Sequence, residues 1–222
     1  EYHVATYDQL RALVRDSPGP FAVLPCICRR SSAMRNNPCL KTSRQETCLS
    51  FGDMARTVLR RGHGREVTRD EVVEILMQNE EDGLVLQPAN TKQPEFVCSC
   101  CGCCCGMLAY QKFLPRPVDF WGSNYFAEVS ADRCTNCGVC VDRCQVKAAA
   151  LSGLSGEAAI DRNRCIGCGL CEPTCPSEAI KLRKKATDTV PPVNEEALCD
   201  EILSNRPGAA TQWKMLIKSA KQ

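Results

Sequence analysis

Two stretches of the chain, RCTNCGVCVDRCQVKAA from Arg133 and RCIGCGLCEPTCPSEAI from Arg164, align without a gap, and each carries the spacing C-x-x-C-x-x-C-x-x-x-C. A gapless duplication requires a fold that offers both copies equivalent surroundings. Each copy curls three thiols around one point, through Cys134, Cys137 and Cys140 or through Cys165, Cys168 and Cys171. Cys144 and Cys175 follow about one helical turn later. The chain holds 19 cysteines in 222 residues, and only 5% of its residues are aromatic, so the 44% hydrophobic content overstates the side chains that fill a core. Something besides side-chain packing is expected to organise part of the interior.

Several chemistries compete for these thiols. Disulfides fit poorly: the count is odd, vicinal pairs such as Cys100 and Cys101 bridge badly, and no secretory signal is present. Zinc takes C-x-x-C pairs but rarely needs two such quartets. Buried structural thiols explain single cysteines and not a registered octet. Iron-sulfur ligation in a reducing cytoplasm accounts for the spacing.

The repeat, about residues 131–182, resembles the dicluster ferredoxin domain of bacteria. The resemblance implies an α+β fold with pseudo-twofold symmetry and two low-potential 4Fe-4S clusters, each passing one electron. It also implies that the fourth ligand crosses over. Cluster I would use Cys134, Cys137, Cys140 and Cys175, and cluster II Cys165, Cys168, Cys171 and Cys144. One departure is visible: Gln145 stands where the first motif usually has proline, whereas the second keeps Pro176.

Ten further cysteines are candidate iron ligands: Cys26, Cys28, Cys39 and Cys48, then Cys98, Cys100, Cys101, Cys103, Cys104 and Cys105 in the tract CSCCGCCCGM. Adjacent side chains point to opposite faces of an extended chain and diverge by about 100° in a helix. The tract therefore reads as a wall shared by two clusters, with the four earlier cysteines supplying thiolates from across the fold. A simpler partition gives one cluster to Cys26, Cys28, Cys39 and Cys48 and another to four of the tract's six. Two more cubanes, four in total, are expected; one extra cubane or an enlarged cluster is the alternative. Cys199 is expected to be a free thiol. Arg29 and Arg30 are candidates for neutralising a cluster or a partner's carboxylates, against a plain surface role. His63, in RGHGR, is expected to face solvent, and neither it nor His3, the only other histidine, supports a His-dependent triad.

PCICRR, TCLSFGDMA, GREVTRDEVVEIL, GLVLQPAN and CSCCGCCCGML, followed by the twin repeat, also resemble a group of multi-cluster ferredoxin-like proteins of anaerobic bacteria. That likeness spans about residues 24–182 and implies electron-transfer partners, with no assigned activity to carry over.

Three parts are expected: a helix-rich, cysteine-rich cluster-binding domain over 1–130, the dicluster domain over 131–182, and a linker with amphipathic helices over 183–222, around Glu195–Ser204 and Trp213–Ala220. Capping boxes at Thr6 with Gln9 and at Thr68 with Glu71 open two helices. Phe51, Met54, Ala55, Val58 and Leu59 lie at helical spacing. FAVLPCIC reads as a strand carrying Cys26 and Cys28, with Cys39 and Cys48 in the loop after it. A helix-turn-helix is disfavoured by the long RGHGREV connection and the acidic second helix, so no nucleic-acid partner is expected.

The formal charge is +2, from 28 basic and 26 acidic residues. Four clusters of net charge -2 would take it to about -6. No stretch is long and apolar enough to span a membrane. The chain opens at Glu1 without a methionine or signal pattern, and reads as a piece of a longer protein or one whose leader has been removed. The expected function is electron relay in the cytoplasm between oxidoreductase partners, one of them flavin-containing, as a free protein or as a subunit of a larger complex. A reductase with an unusual cluster in the CSCCGCCC tract and a redox or oxygen sensor are the rivals.

Overall fold

In the computed structural model, residues 2–152, 156–186, 188–206 and 208 are described. The elements run β1 (Tyr2–His3), α1 (Tyr7–Asp16), β2 (Phe21–Pro25), α2 (Ile27–Met34), β3 (Glu46–Phe51), α3 (Gly52–Arg60), β4 (Arg65–Val67), α4 (Arg69–Glu81), β5 (Val85–Pro88) and β6 (Phe96–Cys100). They continue with α5 (Gly106–Tyr110), β7 (Trp121–Gly122), β8 (Tyr125–Val129), α6 (Val139–Arg143), β9 (Ala149–Leu151), β10 (Ala158–Ile160), β11 (Ile180–Lys184) and α7 (Glu195–Ser204). The helix expected around Trp213–Ala220 lies outside the described residues.

Helix starts follow their local chemistry. Thr6 and Gln9 form a reciprocal capping box on α1, and Thr68 and Glu71 form one on α4, so in each case two otherwise orphaned N-H groups find acceptors. α4 stops at Gly83, whose φ of 74° is the left-handed conformation that ends a helix cheaply.

The N-terminal part, expected to be helix-rich, is organised by a five-stranded antiparallel sheet in the order β4-β2-β3-β6-β5. Strand alternation divides its faces. Phe21, Val23, Leu49, Phe51 and Val97 join Leu10 and Val14 of α1 and Val72, Ile75 and Leu76 of α4 in the main core. On the opposite face Ala22 packs with Ala55 and Val58 of α3. Cys48, Cys98 and Cys100 fall on this second face by the same alternation, beyond the reach of α3.

Two expectations are corrected. Cys26 and Cys28 are not on a strand, because β2 ends at Pro25, and Cys26 is the N-cap of α2. Cys48 is not in a loop but in β3, opposite Leu24. Proline lacks the N-H that a ladder needs, which fits the end of β2. ETCLSF, in contrast, is buried on both sides over most of its length and so lacks a simple alternating pattern.

The C-terminal repeat is built as strand, cysteine loop, strand, twice over. β8 precedes the first loop and β9 follows it; β10 precedes the second and β11 follows it. β8 pairs antiparallel with β11, and β9 with β10, so the first strand of each copy pairs with the last strand of the other. Strand β8 therefore belongs with the repeat although it lies before residue 131.

The two parts are in direct contact. The Arg143 guanidinium donates to the carbonyls of Glu80 and Glu81 at the C-terminal end of α4, where a cation meets unpaired carbonyls and the negative end of the helix dipole. Lys41 Nζ donates to the carbonyl of Asp142 at 3.1 Å.

Candidate metal centres

The two cysteine loops repeat each other down to their backbone angles. Asn136 and Gly167 have φ of 57° and 65°, Gly138 and Gly169 of 76° and 81°, and Lys147 and Glu178 of 55° and 49°. Left-handed residues among right-handed ones turn successive N-H groups to one side, which makes a concave, anion-favouring wall. Gly167 is required for a second reason: a Cβ there would stand 2.2 Å from the carbonyl oxygen of Tyr125.

Hydrogen bonds to sulfur follow the same symmetry. The N-H of Ala148 donates to Cys144 Sγ at 3.1 Å, and that of Ala179 to Cys175 Sγ at 3.3 Å. Across the repeat, the Ala158 N-H of β10 reaches Cys134 Sγ at 3.5 Å, and the Ala127 N-H of β8 reaches Cys165 Sγ at 3.4 Å. Each copy supplies donors to the other's thiols.

Two cavities lie inside these loops. One is lined by Cys165, Cys168 and Cys171 together with Cys144 of the other copy, and encloses about 390 Å³ of atom-free space, part of it open to solvent. The second is lined by Cys134, Cys137 and Cys140 together with Cys175, and encloses about 310 Å³ on the same measure. Apolar side chains such as Ile160 and Leu170 complete the first, and Val139 and Ile180 the second. Burial pushes the Cys168 thiol up to about 12 and raises Cys171, Cys165 and Cys140 as well. Thiols in such surroundings ionise when a cation takes the place of the proton. Four thiols around an apolar hollow, with N-H groups aimed at sulfur, fit the needs of a 4Fe-4S cubane.

The ten N-terminal cysteines divide into two groups. Cys39, Cys101, Cys103 and Cys104 bring their sulfurs together, all within 4.8 Å of one another. Cys26, Cys28, Cys48, Cys98, Cys100 and Cys105 form the second group: Cys26 adjoins Cys48, Cys48 adjoins Cys98, Cys98 adjoins Cys100, Cys100 adjoins Cys105, and Cys28 faces Cys105. The tract thus parts its cysteines between two sides. Cys100 and Cys101 diverge at the end of β6, as adjacent residues of an extended chain do. Cys103 and Cys104 do not diverge; residues 102–104 form a turn, neither strand nor helix, and it brings both sulfurs to one side, 3.8 Å apart.

Four of the six thiols of this second group are buried, Cys26, Cys48, Cys100 and Cys105 each being 5% exposed, and Cys28 and Cys98 are half-buried. The six share protons unequally. Cys100 and Cys48 hold the Cys98 thiol down to about 5 against the cost of burial, while Cys100 itself is raised by Cys105 and Cys98. Cys105, the N-cap of α5, is held down to about 6 chiefly by Cys100, with help from the N-H groups of Leu108 and Met107. Neighbouring thiols with opposed shifts cannot all ionise without a cation among them.

Asn79 fixes the strands that carry these thiols. Fully buried on α4, it donates at 2.9 Å both to the Thr47 carbonyl and to Ser99 Oγ, and accepts from Arg44 at 2.8 Å. Thr47 precedes Cys48, and Ser99 separates Cys98 from Cys100.

Arg29 and Arg30 differ. Arg30 is exposed, whereas Arg29 is 1% exposed and donates to the Arg44 carbonyl and to Thr47 Oγ1. Burial works against the Arg29 charge, and the thiols of Cys39, Cys26 and Cys101 outweigh it. One guanidinium thus faces both N-terminal thiol groups. His63 is exposed, as expected of it, and Cys199 is an exposed thiol.

Gln145 has a role that the sequence did not disclose. It is buried, and its Oε1 accepts from the Gly102 N-H at 2.9 Å. A Cβ on Gly102 would stand 2.3 Å from the Gln145 carbonyl oxygen, so glycine alone permits this approach. The turn between Cys101 and Cys103 therefore touches the residue that follows Cys144. The sequence signals were a glycine inside a run of cysteines and Gln145 in the place of the motif's proline.

A family model described as a 4Fe-4S binding domain matches residues 158–181, which include Cys165, Cys168, Cys171 and Cys175. Comparison with curated proteins gives no match. The match identifies an iron-sulfur, ferredoxin-type domain in the C-terminal part of the chain. Among the described residues, no helix is long and apolar enough to cross a membrane.

Proposed function

We propose that the protein relays single electrons between oxidoreductase partners through several iron-sulfur centres, as a free carrier or as a subunit of a larger complex. One observation carries the reading: each cavity of the repeat is lined by three cysteines of its own loop and the fourth cysteine of the other loop. In this reading Cys134, Cys137, Cys140 and Cys175 hold one 4Fe-4S cluster, and Cys165, Cys168, Cys171 and Cys144 hold the second. Of the two further cubanes expected from the sequence, one finds support, as a third iron-sulfur centre at Cys26, Cys28, Cys48, Cys98, Cys100 and Cys105.

When bound, such clusters supply a one-electron couple whose potential depends on charge, hydrogen bonds to sulfur and exposure. The chain's own contribution is to set those three. The N-H donors of Ala127, Ala148, Ala158 and Ala179 favour added negative charge at sulfur, and the exposed Cys137 brings the first site near the surface, where a partner can approach. The Gly102 to Gln145 contact offers a short route between the cysteine tract and the second site. A flavin-containing donor or acceptor and a reducing cytoplasm are the setting this chemistry suits.

The test is analysis of iron and acid-labile sulfide, with paramagnetic resonance of the reduced protein, on wild type and Cys144→Ser prepared without air. The variant should lose the signal of the site built on Cys165, Cys168 and Cys171, and about four iron atoms, while the other site's signal persists. Loss of the Cys134 loop's signal instead would refute the crossed ligand sets. Failure of reduced wild type to pass electrons to any flavoprotein or dye acceptor would refute the relay.

One observation favours the reductase as a second reading. The six thiols of the third centre's group exceed the four that a cubane needs, and an enlarged cluster there could bind a small molecule. Turnover of a candidate substrate with a reduced dye would distinguish it from a relay.

A further inference from the structure

We propose that Cys39, Cys101, Cys103 and Cys104 hold a single tetrahedral metal ion, a thiophilic divalent cation (zinc or ferrous iron), as a closed structural site and not a cubane. The inference stands on these four thiols and is independent of the electron-relay reading.

Spacing is the first argument. The sulfurs of Cys39 and Cys101 are 3.6 Å apart, those of Cys39 and Cys103 3.7 Å, those of Cys101 and Cys103 3.3 Å, and those of Cys103 and Cys104 3.8 Å. All four lie within 4.8 Å of one another. An ion bound to four thiolates at about 2.3 Å in a tetrahedron sets sulfur-sulfur edges of about 3.8 Å. A cubane instead attaches each thiolate to a different iron, outside the corner of the cage, and so spreads the four sulfurs farther apart.

The chain supplies its own standard. Among the described residues, no three sulfurs of the two ferredoxin-type quartets come this close together, and neither do any three of the six-thiol group. The ferredoxin-type quartets surround cavities, whereas this quartet closes on itself.

Charge is the second argument. Four thiolates on a divalent ion leave a net charge of -2, which needs compensation when buried. Arg29 supplies it: the side chain is 1% exposed, and its Nε and Nη2 make no hydrogen bond of ordinary geometry. The Lys41 N-H adds a donor to Cys39 Sγ at 3.5 Å.

The surroundings suit a structural role. Cys39 sits in a segment, residues 37–45, without helix or strand, and the other three ligands lie 62 or more positions away at the turn after β6. With few apolar side chains to hold it, this loop gains its fixed place from the ion, in the manner of closed four-thiolate sites.

The test measures zinc, iron and acid-labile sulfide per chain on protein purified without air, for wild type and Cys103→Ser. The variant should lack one metal ion and keep all its sulfide. Loss of zinc would assign zinc, and loss of one iron atom without sulfide would assign ferrous iron; either upholds the single-ion site. Loss of about four iron and four sulfide, or no change in metal, overturns it. As a serine variant can unfold, X-ray absorption and metal and sulfide analysis of intact wild type provide the second measurement. The expected result is a zinc-edge shell of four sulfurs at about 2.3 Å without an iron neighbour, or, for ferrous iron, an analysed iron content exceeding sulfide by one. Wild type with no zinc and with equal iron and sulfide overturns the proposal.

Discussion

At the scale of single residues, Arg29 is the side chain whose burial most needs a cause. A guanidinium taken out of water costs several kcal/mol unless anions face it, and the anions available are thiolates. Replacing Arg29 by methionine should lower the midpoint potential of the centre proposed at Cys26, Cys48 and Cys98 by tens of millivolts, because the added electron loses a nearby positive charge. The scale follows from about 59 mV per 1.4 kcal/mol for a one-electron couple. A redox titration followed by paramagnetic resonance reads this out, and an unchanged or raised midpoint contradicts it. The role of Arg29 was half legible in CICRR, since the sequence marked both arginines as candidates. Only the fold could separate them, by turning one face of α2 inward.

At the scale of elements, local chemistry and long-range pairing were legible to different degrees. Capping boxes at Thr6 and Thr68 are written within four residues, and the structure forms both. Thr68→Ala should therefore cost about 1 kcal/mol in denaturant unfolding of the metal-loaded protein, with iron and sulfide content unchanged. Loss of iron along with stability would mean that the cap also serves a metal site. The five-stranded sheet was much less visible. Its strands are short, four of the five carry cysteine ligand candidates or a terminal proline, and β3 finds β6 across a separation that no local period records. The split of the tract also depended on tertiary detail, since the turn at 102–104 replaces the alternation that an extended reading assumes. The two cysteine loops were plain in the sequence, because eight cysteines and their spacing are local facts. Their backbone symmetry, down to paired left-handed residues, follows from the same duplication.

At the scale of the whole molecule, the N-terminal sheet and the C-terminal repeat share one hydrophobic core, Val97 and Leu108 lying in the same cluster as Val146 and Ile166, and their seam has tight tolerances. Arg143 caps α4, and Gly102 lies against Gln145 too closely for any side chain. Gly102→Ala should force the seam apart, and overpacking of this kind costs about 1–3 kcal/mol. Thermal unfolding of the variant, followed by visible absorption of the clusters and by far-ultraviolet circular dichroism, should separate into two transitions where wild type shows one. Coincident transitions in the variant would show that the seam does not couple the halves.

The interleaving of the repeat also bears on how the chain is made. Strand β8 has no partner until β11 exists, and the hollow lined by Cys134, Cys137 and Cys140 lacks its last wall until Cys175 appears. A ribosome releasing about 5–20 residues each second would expose the first loop's thiols for several seconds before the second can shelter them. On the proposed ligand sets, neither hollow is complete before the second loop is made, so the first loop's thiols stay open to oxidation until then.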